Sequence, residues 1–188
     1  MELAKVKICN DALAQLPVKR IQSLDEKSAQ AVACQSAFDR ILKELLRLVN
    51  WKFALKSTAL ALAKQTGEKR YYTIPADCTF MKDILDEQGE PIGSSWNVEG
   101  NQIVTKETKI IGQYISHEKA LEEMDPLFQS ALVYRLASEI AIELTGADSV
   151  MGRNYQRYQI SLEQAKFENS REGIDPILDG NPFLDARM

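Results

Sequence analysis

Residues 50–57, NWKFALKS, mark the place where the hydrophobic period of this chain changes, and that change restricts the fold more than any other feature. Upstream, Cys34, Phe38, Ile41, Leu45 and Leu48 recur at steps of three and four, the spacing of a helix with a buried face. Ala37, Leu42, Leu46 and Val49 widen that stripe, so more than one face needs cover. From Trp51 the step becomes two. Trp51, Phe53 and Leu55 alternate with Lys52, Ala54 and Lys56, which predicts a strand with large groups on one face and lysines on the other.

The same spacing argument predicts a first helix over residues 3–16, carried by Val6, Cys9, Leu13 and Leu16 and stopped by Pro17. SLDE, Ser23 to Glu26, has the spacing of a capping box for the second helix. Strand signals follow at Tyr71 to Ile74, Thr79 to Asp86, Trp96 to Val98, Gln102 to Thr105 and Ile110 to Ile115. Helix returns at Asp125, an N-cap followed by Pro126 at the first helical position. Phe128, Leu132, Leu136, Ile140 and Leu144 form its stripe, and Gly146 ends it. Asp148 or Ser149 then caps a last helix marked by Met151, Tyr155, Tyr158, Leu162 and Ala165.

The expected fold is therefore mainly α (α+β), with a core of about four amphipathic helices. Residues 1–50 and 117–172 make one discontinuous helical domain, and residues 51–116 make a small antiparallel β lobe between the second and third helices. Residues 173–188 make an extended tail.

With 45% apolar and 27% charged residues in 188, the chain has the composition of a folded domain. Its net charge of −4 gives it no long-range attraction for phosphate backbones or anionic lipid, which disfavours a dedicated DNA-binding domain. Cys9, Cys34 and Cys78 match neither a zinc site nor a disulfide framework and read as thiols in a reducing compartment. The opening MELAKVKICNDALAQL lacks a signal-peptide pattern, and no apolar run approaches the ~20 residues of a membrane span. The expectation is a protein made in a cytoplasm, with no membrane partner.

Catalytic chemistry finds few candidates. His117 is the single histidine, in a polar stretch with no nucleophile signature elsewhere to accompany it, and reads as a solvated loop residue. Glu139 and Glu143 stand one helical turn apart without the Glu-x-x-His step of a carboxylate metal site, so they read as a polar face. Glu122, Glu123 and Asp125 hold enough carboxylates for glycoside cleavage, but acids before a helix also answer its macrodipole. Gly89, Gly93, Gly100 and Gly112 stand singly, which argues against a phosphate loop. No enzyme activity, cofactor, metal or small-molecule substrate is expected.

Charge is unevenly spread. From Arg47 to Arg70 there are six basic residues (Arg47, Lys52, Lys56, Lys64, Lys69 and Arg70) against the single acid Glu68. Asp83, Asp86, Glu87 and Glu90 crowd a strand end, and from Glu163 onward six acids face three bases. Lysines on an exposed strand protect it from aggregation, and complementary patches on one molecule also suit self-assembly. Contact with DNA through Arg47–Arg70 is a third reading.

ALAQLPVKRIQSLDEKS, NWKFALKSTALAL, YYTIPADCTFMKDIL and DPILDGNPFLDARM, taken in this order along the chain, resemble segments of podovirus tail tubular protein A, the head-to-tail adaptor family. ALAQLPVKRIQSLDEKS is similar to its ALxxLGxxxIxSLDExS opening, with Pro17 where the family often has Gly, and NWKFALKSTALAL to its WxFAxxxxxL segment. YYTIPADCTFMKDIL resembles its Y-x-L-P-x-D strand, WNVEGNQIVTK its hairpin, DPLFQSALVYRLASEIAIELTG its third helix and DPILDGNPFLDARM its LDG-containing tail. The resemblance implies a structural virion protein of the tail, put together in the host bacterial cytoplasm. About twelve copies would form a dodecameric ring between the portal and the tail nozzle. Genomic DNA would pass through a negative lumen without sequence-specific binding. A small DNA-binding protein and a virion-associated cell-wall hydrolase are the rival readings.

The assembly-interface candidates are Lys52, Lys56, Lys69 and Arg70 in the basic stretch, and Ile174, Ile177, Leu178, Phe183, Leu184 and Arg187 in the tail. The tail's apolar residues lie among Pro176, Gly180 and Pro182, so a partner is expected to cover them. Deleting residues 174–188 should leave the melting transition of the free protein unchanged and abolish attachment to portal or nozzle. Calorimetry and co-sedimentation check this, and a truncated chain that no longer folds would make the tail an intramolecular clasp instead.

Overall fold

The structure, a computed structural model, describes residues 2–172. Five α-helices are present there: α1 (Glu2–Leu13), α2 (Ala29–Leu46), α3 (His117–Glu122), α4 (Pro126–Thr145) and α5 (Asp148–Arg171). Between α2 and α3 run seven strands: β1 (Leu55–Ala59), β2 (Leu62–Thr66), β3 (Lys69–Thr73), β4 (Cys78–Leu85), β5 (Trp96–Glu99), β6 (Gln102–Thr105) and β7 (Ile111–Ser116). They form two antiparallel sheets, ordered β1-β7-β4 and β2-β3-β6-β5.

This is an α+β fold, and the expectation of a mainly helical core with a small β lobe is corrected. The first sheet belongs to the main core. Leu55, Ile115 and Phe80 are successive cross-strand partners, and all three pack with the helices. Alternation sends the neighbouring row, Lys56, Tyr114 and Met81, to the opposite face. Met81 there packs against a second core of Leu60, Tyr72, Ile84, Ile103 and Ile110, to which both sheets contribute. The middle sheet thus carries apolar packing on both faces, with β1 its most exposed strand, an arrangement that spacing within single strands does not reveal.

The chain passes from one sheet to the other with almost no break. Between β1 and β2 the Leu60 N–H donates to the Ile110 carbonyl (3.0 Å), and the Ala61 carbonyl accepts from Thr73 N–H (2.9 Å). Leu60 turns this corner against Gly112, where an added Cβ would fall 2.9 Å from a Leu60 methyl carbon. Any larger residue at 112 would force the Leu60 side chain to shift.

The strand expected at Trp51 begins four residues later. Lys52–Ala54 is a 3-10 turn, and β1 starts at Leu55. Side-chain bonds from distant elements override the alternation. The Trp51 indole N–H donates to the Leu45 carbonyl in the last turn of α2 (2.8 Å). Asn169 of α5 clamps the turn, accepting from Lys52 N–H (2.9 Å) and donating to the Asn50 carbonyl (3.1 Å). Trp51 and Phe53 still point inward, packing edge-on against Phe128 of α4 with ring centroids 4.8 and 5.1 Å away.

Other differences have local causes. α1 ends at Leu13, and residues 14–17 continue as turns. SLDE closes a turn ahead of α2, with Glu26 accepting from the N–H groups of Gln22 and Ser23; Ser28 is the N-cap, accepting from Ala31 N–H (3.2 Å). Asp125 caps α4 as expected, accepting from Leu127 and Phe128, and Gly146 ends it with φ 65°. Asp148 is the first residue of α5 rather than its cap, and Leu48 and Tyr155, assigned to buried stripes, are exposed.

Trp51→Ala should lower stability by about 3 to 5 kcal/mol, the cost of truncating a buried aromatic. Lys52→Ala should be nearly neutral, because the exposed Lys52 contributes its backbone N–H to the clamp. Denaturant melts of the two variants check the difference.

Candidate functional site

The four described interface candidates fall on three different elements. Lys52 sits in the 3-10 turn, Lys56 on β1 in the middle sheet, and Lys69 and Arg70 at the start of β3 in the second sheet. Several of the surrounding cations also have local partners. Lys56 meets Asp77 at 2.8 Å, and Lys69 approaches Glu99 at 3.9 Å. The Arg70 guanidinium donates to the Lys106 carbonyl, Arg47 donates to the Thr79 carbonyl (2.9 Å), and Lys64 lies 4.4 Å from the Tyr71 ring centroid. The six remaining candidates, Ile174, Ile177, Leu178, Phe183, Leu184 and Arg187, lie outside the described residues.

A buried polar cluster centres on Asp77, just before β4. Its carboxylate accepts from Lys56 Nζ (2.8 Å), Ser116 Oγ (2.7 Å) and Tyr114 OH (3.0 Å), while its backbone carbonyl accepts from His117 N–H (3.0 Å). Lys56 and Tyr114 are cross-strand partners, and Ser116 follows Tyr114 by two, so strand alternation delivers all three groups to one face. Burial pushes the Asp77 carboxyl upward, but hydrogen bonds from Lys56, Ser116 and Tyr114 outweigh it and hold the group below the usual carboxylate range. Burial, followed by the bond to Asp77, pushes Tyr114 up to about 12. The Asp77 bond holds Lys56 above its ordinary value.

These groups neutralise one another, and each polar head in the cluster is already paired. Lys56, Asp77 and Tyr114 line one side of an open groove of about 340 Å³ whose other wall is Thr58–Ala61, Thr73 and Pro75. A second surface groove, about 460 Å³, runs beside Trp96 between Lys69 and Lys106. Lys106 is paired there with Glu68 at 2.7 Å.

His117 is corrected from a solvated loop position to the first residue of α3, where it is half-buried. Glu139 lies in a charge network between α2 and α4, meeting Arg135 at 2.6 Å and Arg40 at 2.5 Å, with Arg40 also on Glu44 at 3.0 Å. Arg135, then Arg40, hold Glu139 below the usual range against the effect of burial. Among the described residues, no group of three or more His, Cys, Asp or Glu side chains is placed to hold a metal ion, and no helix is long and apolar enough to cross a membrane.

Tyr114 and Ser116 escaped the sequence reading; Tyr114 lies on the strand predicted at Ile110 to Ile115, and Ser116 is one residue beyond its predicted end. Asp77 entered it only within the resemblance to the Y-x-L-P-x-D strand, where this chain has Ile74 at the Leu position.

A depressed Asp77 pKa contributes stability that is fully present above the unfolded value near pH 4 and is lost as pH falls through the folded value. Asp77→Asn should therefore cost about 1–3 kcal/mol at pH 7 and flatten the loss of stability below about pH 4. Urea melts from pH 2 to 7 check both effects. No protein-family model matches the chain, and no curated protein matches it.

Proposed function

We propose that this chain is the repeating subunit of a viral head-to-tail connector, a ring between portal and tail nozzle through which DNA passes. The observation that carries the reading is where the resemblance-bearing segments fall. WKFAL supplies the aromatic junction, and IPAD supplies the Asp77 centre of the polar cluster. DPLF supplies the N-cap and Phe128 of α4, and SLDEKS supplies the turn and the N-cap of α2. The resemblance thus coincides with the joints of the fold.

Two physical features favour a scaffold role. Ile160 and Phe167, 62% and 60% exposed and seven residues apart on α5, place apolar groups on one outer helix face. The net charge of −4 suits a channel that does not retain DNA. DNA binding through Arg47–Arg70 is less favoured, because local partners and two different sheets divide those cations.

Mixed with its cognate portal, the protein should add a ring visible by negative-stain electron microscopy. Its affinity for duplex DNA at physiological salt should be no stronger than ordinary non-specific binding, about 10⁻⁴–10⁻⁶ M. Nanomolar DNA binding without a ring, or lysis of purified cell walls by the protein, would contradict the proposal.

A further inference from the structure

The outer sheet, β2-β3-β6-β5, has two open ends. All five residues of β2 are exposed, and so are three of the four in β5. Backbone groups along the free side of an edge strand are a template for another strand. The registers of this sheet give the two edges a relation to each other. Leu62, Tyr72, Ile103 and Val98 are successive cross-strand partners and form one row across all four strands. The two middle members are buried, at 1% and 0% exposure, while Leu62 and Val98 at the ends are 51% and 53% exposed. An apolar row therefore crosses the sheet and is cut off at both edges.

We propose that copies of this chain join edge to edge, β2 of one pairing with β5 of the next, so that the outer sheets continue as one belt around a ring. The proposal rests on the connector reading and names its subunit joint. Four antiparallel strands make the directions agree, because β2 and β5 run oppositely and a repeated copy brings β2 antiparallel to its neighbour's β5. Continuing the row sets Leu62 opposite Val98 of the neighbour, at the ~4.5–5.5 Å Cβ separation of directly opposed residues. The register irregularity between Leu62 and Lys64 then brings Lys64 opposite Asn97, in line with the existing row Lys64, Tyr71, Val104, Asn97. Glu99 becomes the diagonal neighbour of Lys64, about 7–8 Å away and within reach of both long side chains.

Charge selects this joint over its symmetric rivals. A β2–β2 pairing would bring together two edges carrying Lys64, and a β5–β5 pairing two carrying Glu99. Glu99 pairs loosely with Lys69 of its own chain at 3.9 Å, with its side chain 45% exposed, so turning toward Lys64 of the neighbour exchanges one exposed ion pair for another. A joint between two different edges is heterologous, the kind that closes rings; pairing of like edges stops at a dimer.

The test uses full-length Leu62→Cys, Val98→Cys and the double variant, oxidised with copper phenanthroline on the cognate portal under conditions where wild-type rings are seen. Both sites are exposed, and wild type treated alike gives the background from Cys9, Cys34 and Cys78. The double variant should give a ladder of covalent multimers, and an equimolar mixture of the single variants should give dimers. Neither single variant should cross-link alone. Lys64→Glu and Glu99→Lys should each reduce ring yield at least tenfold, and the doubly reversed protein should recover it. Rings whose double variant stays monomeric under denaturing conditions would place the joint elsewhere and leave the connector reading standing. Cross-linking by Leu62→Cys alone would show pairing of like edges and overturn the proposal. Absence of wild-type rings on the portal would remove the connector reading, and this joint with it.

Discussion

The Trp51 indole packs where the helical part of the chain becomes the sheet part, and its neighbours come from both. Its N–H closes the last turn of α2, and its ring meets Phe53 from the 3-10 turn and Phe128 from α4. At 1% exposure, it is the largest fully buried side chain among the described residues. Three aromatic rings in edge contact contribute dispersion and quadrupole energy that aliphatic packing of the same area lacks. The Asn169 clamp holds the same turn from α5, so three helices fix the position from which β1 departs.

From that origin the other joints follow. Lys119 of α3 donates to the Leu55 carbonyl at the first residue of β1 (3.0 Å), and Arg47 at the end of α2 donates to the Thr79 carbonyl in β4 (2.9 Å). The middle sheet is therefore tied to the helices along both outer strands. Its far face is tied to the outer sheet by the Leu60 corner and the second core. This arrangement makes a base of helices and middle sheet carrying an outer sheet whose edge strands β2 and β5 are exposed. The Asp77 cluster belongs to the base: its groups hold strand ends together and satisfy one another, which stabilises position rather than supplying a reactive atom.

Much of this organisation was legible in the sequence. The helical stripe of α2, the Asp125–Pro126 start and Gly146 end of α4, and the strands near 71–74, 79–86, 96–98, 102–105 and 110–115 follow from spacing and turn chemistry. What escaped is tertiary. LAKQT of β2 has no clean alternation and all its residues are exposed, so it is a strand only because β3 pairs with it. The turn at Lys52 exists because Leu45 and Asn169 offer partners that local spacing does not encode. The basic stretch gives no hint in sequence that the chain passes from one sheet to the other between β1 and β2.

Native-state hydrogen exchange followed by mass spectrometry tests most directly whether the helices and the middle sheet are one cooperative body carrying an open sheet. The expected result is that amides of β7, the end of α2 and the start of α4 exchange with one common opening free energy, while β2 and β5 exchange fastest among the strands. Under the proposed edge-to-edge joint, protection in β2 and β5 should rise on assembly. A β7 that opens together with β5 and β6 while the helices stay protected would contradict the account, because the sheets would then form a separate unit from the helical core.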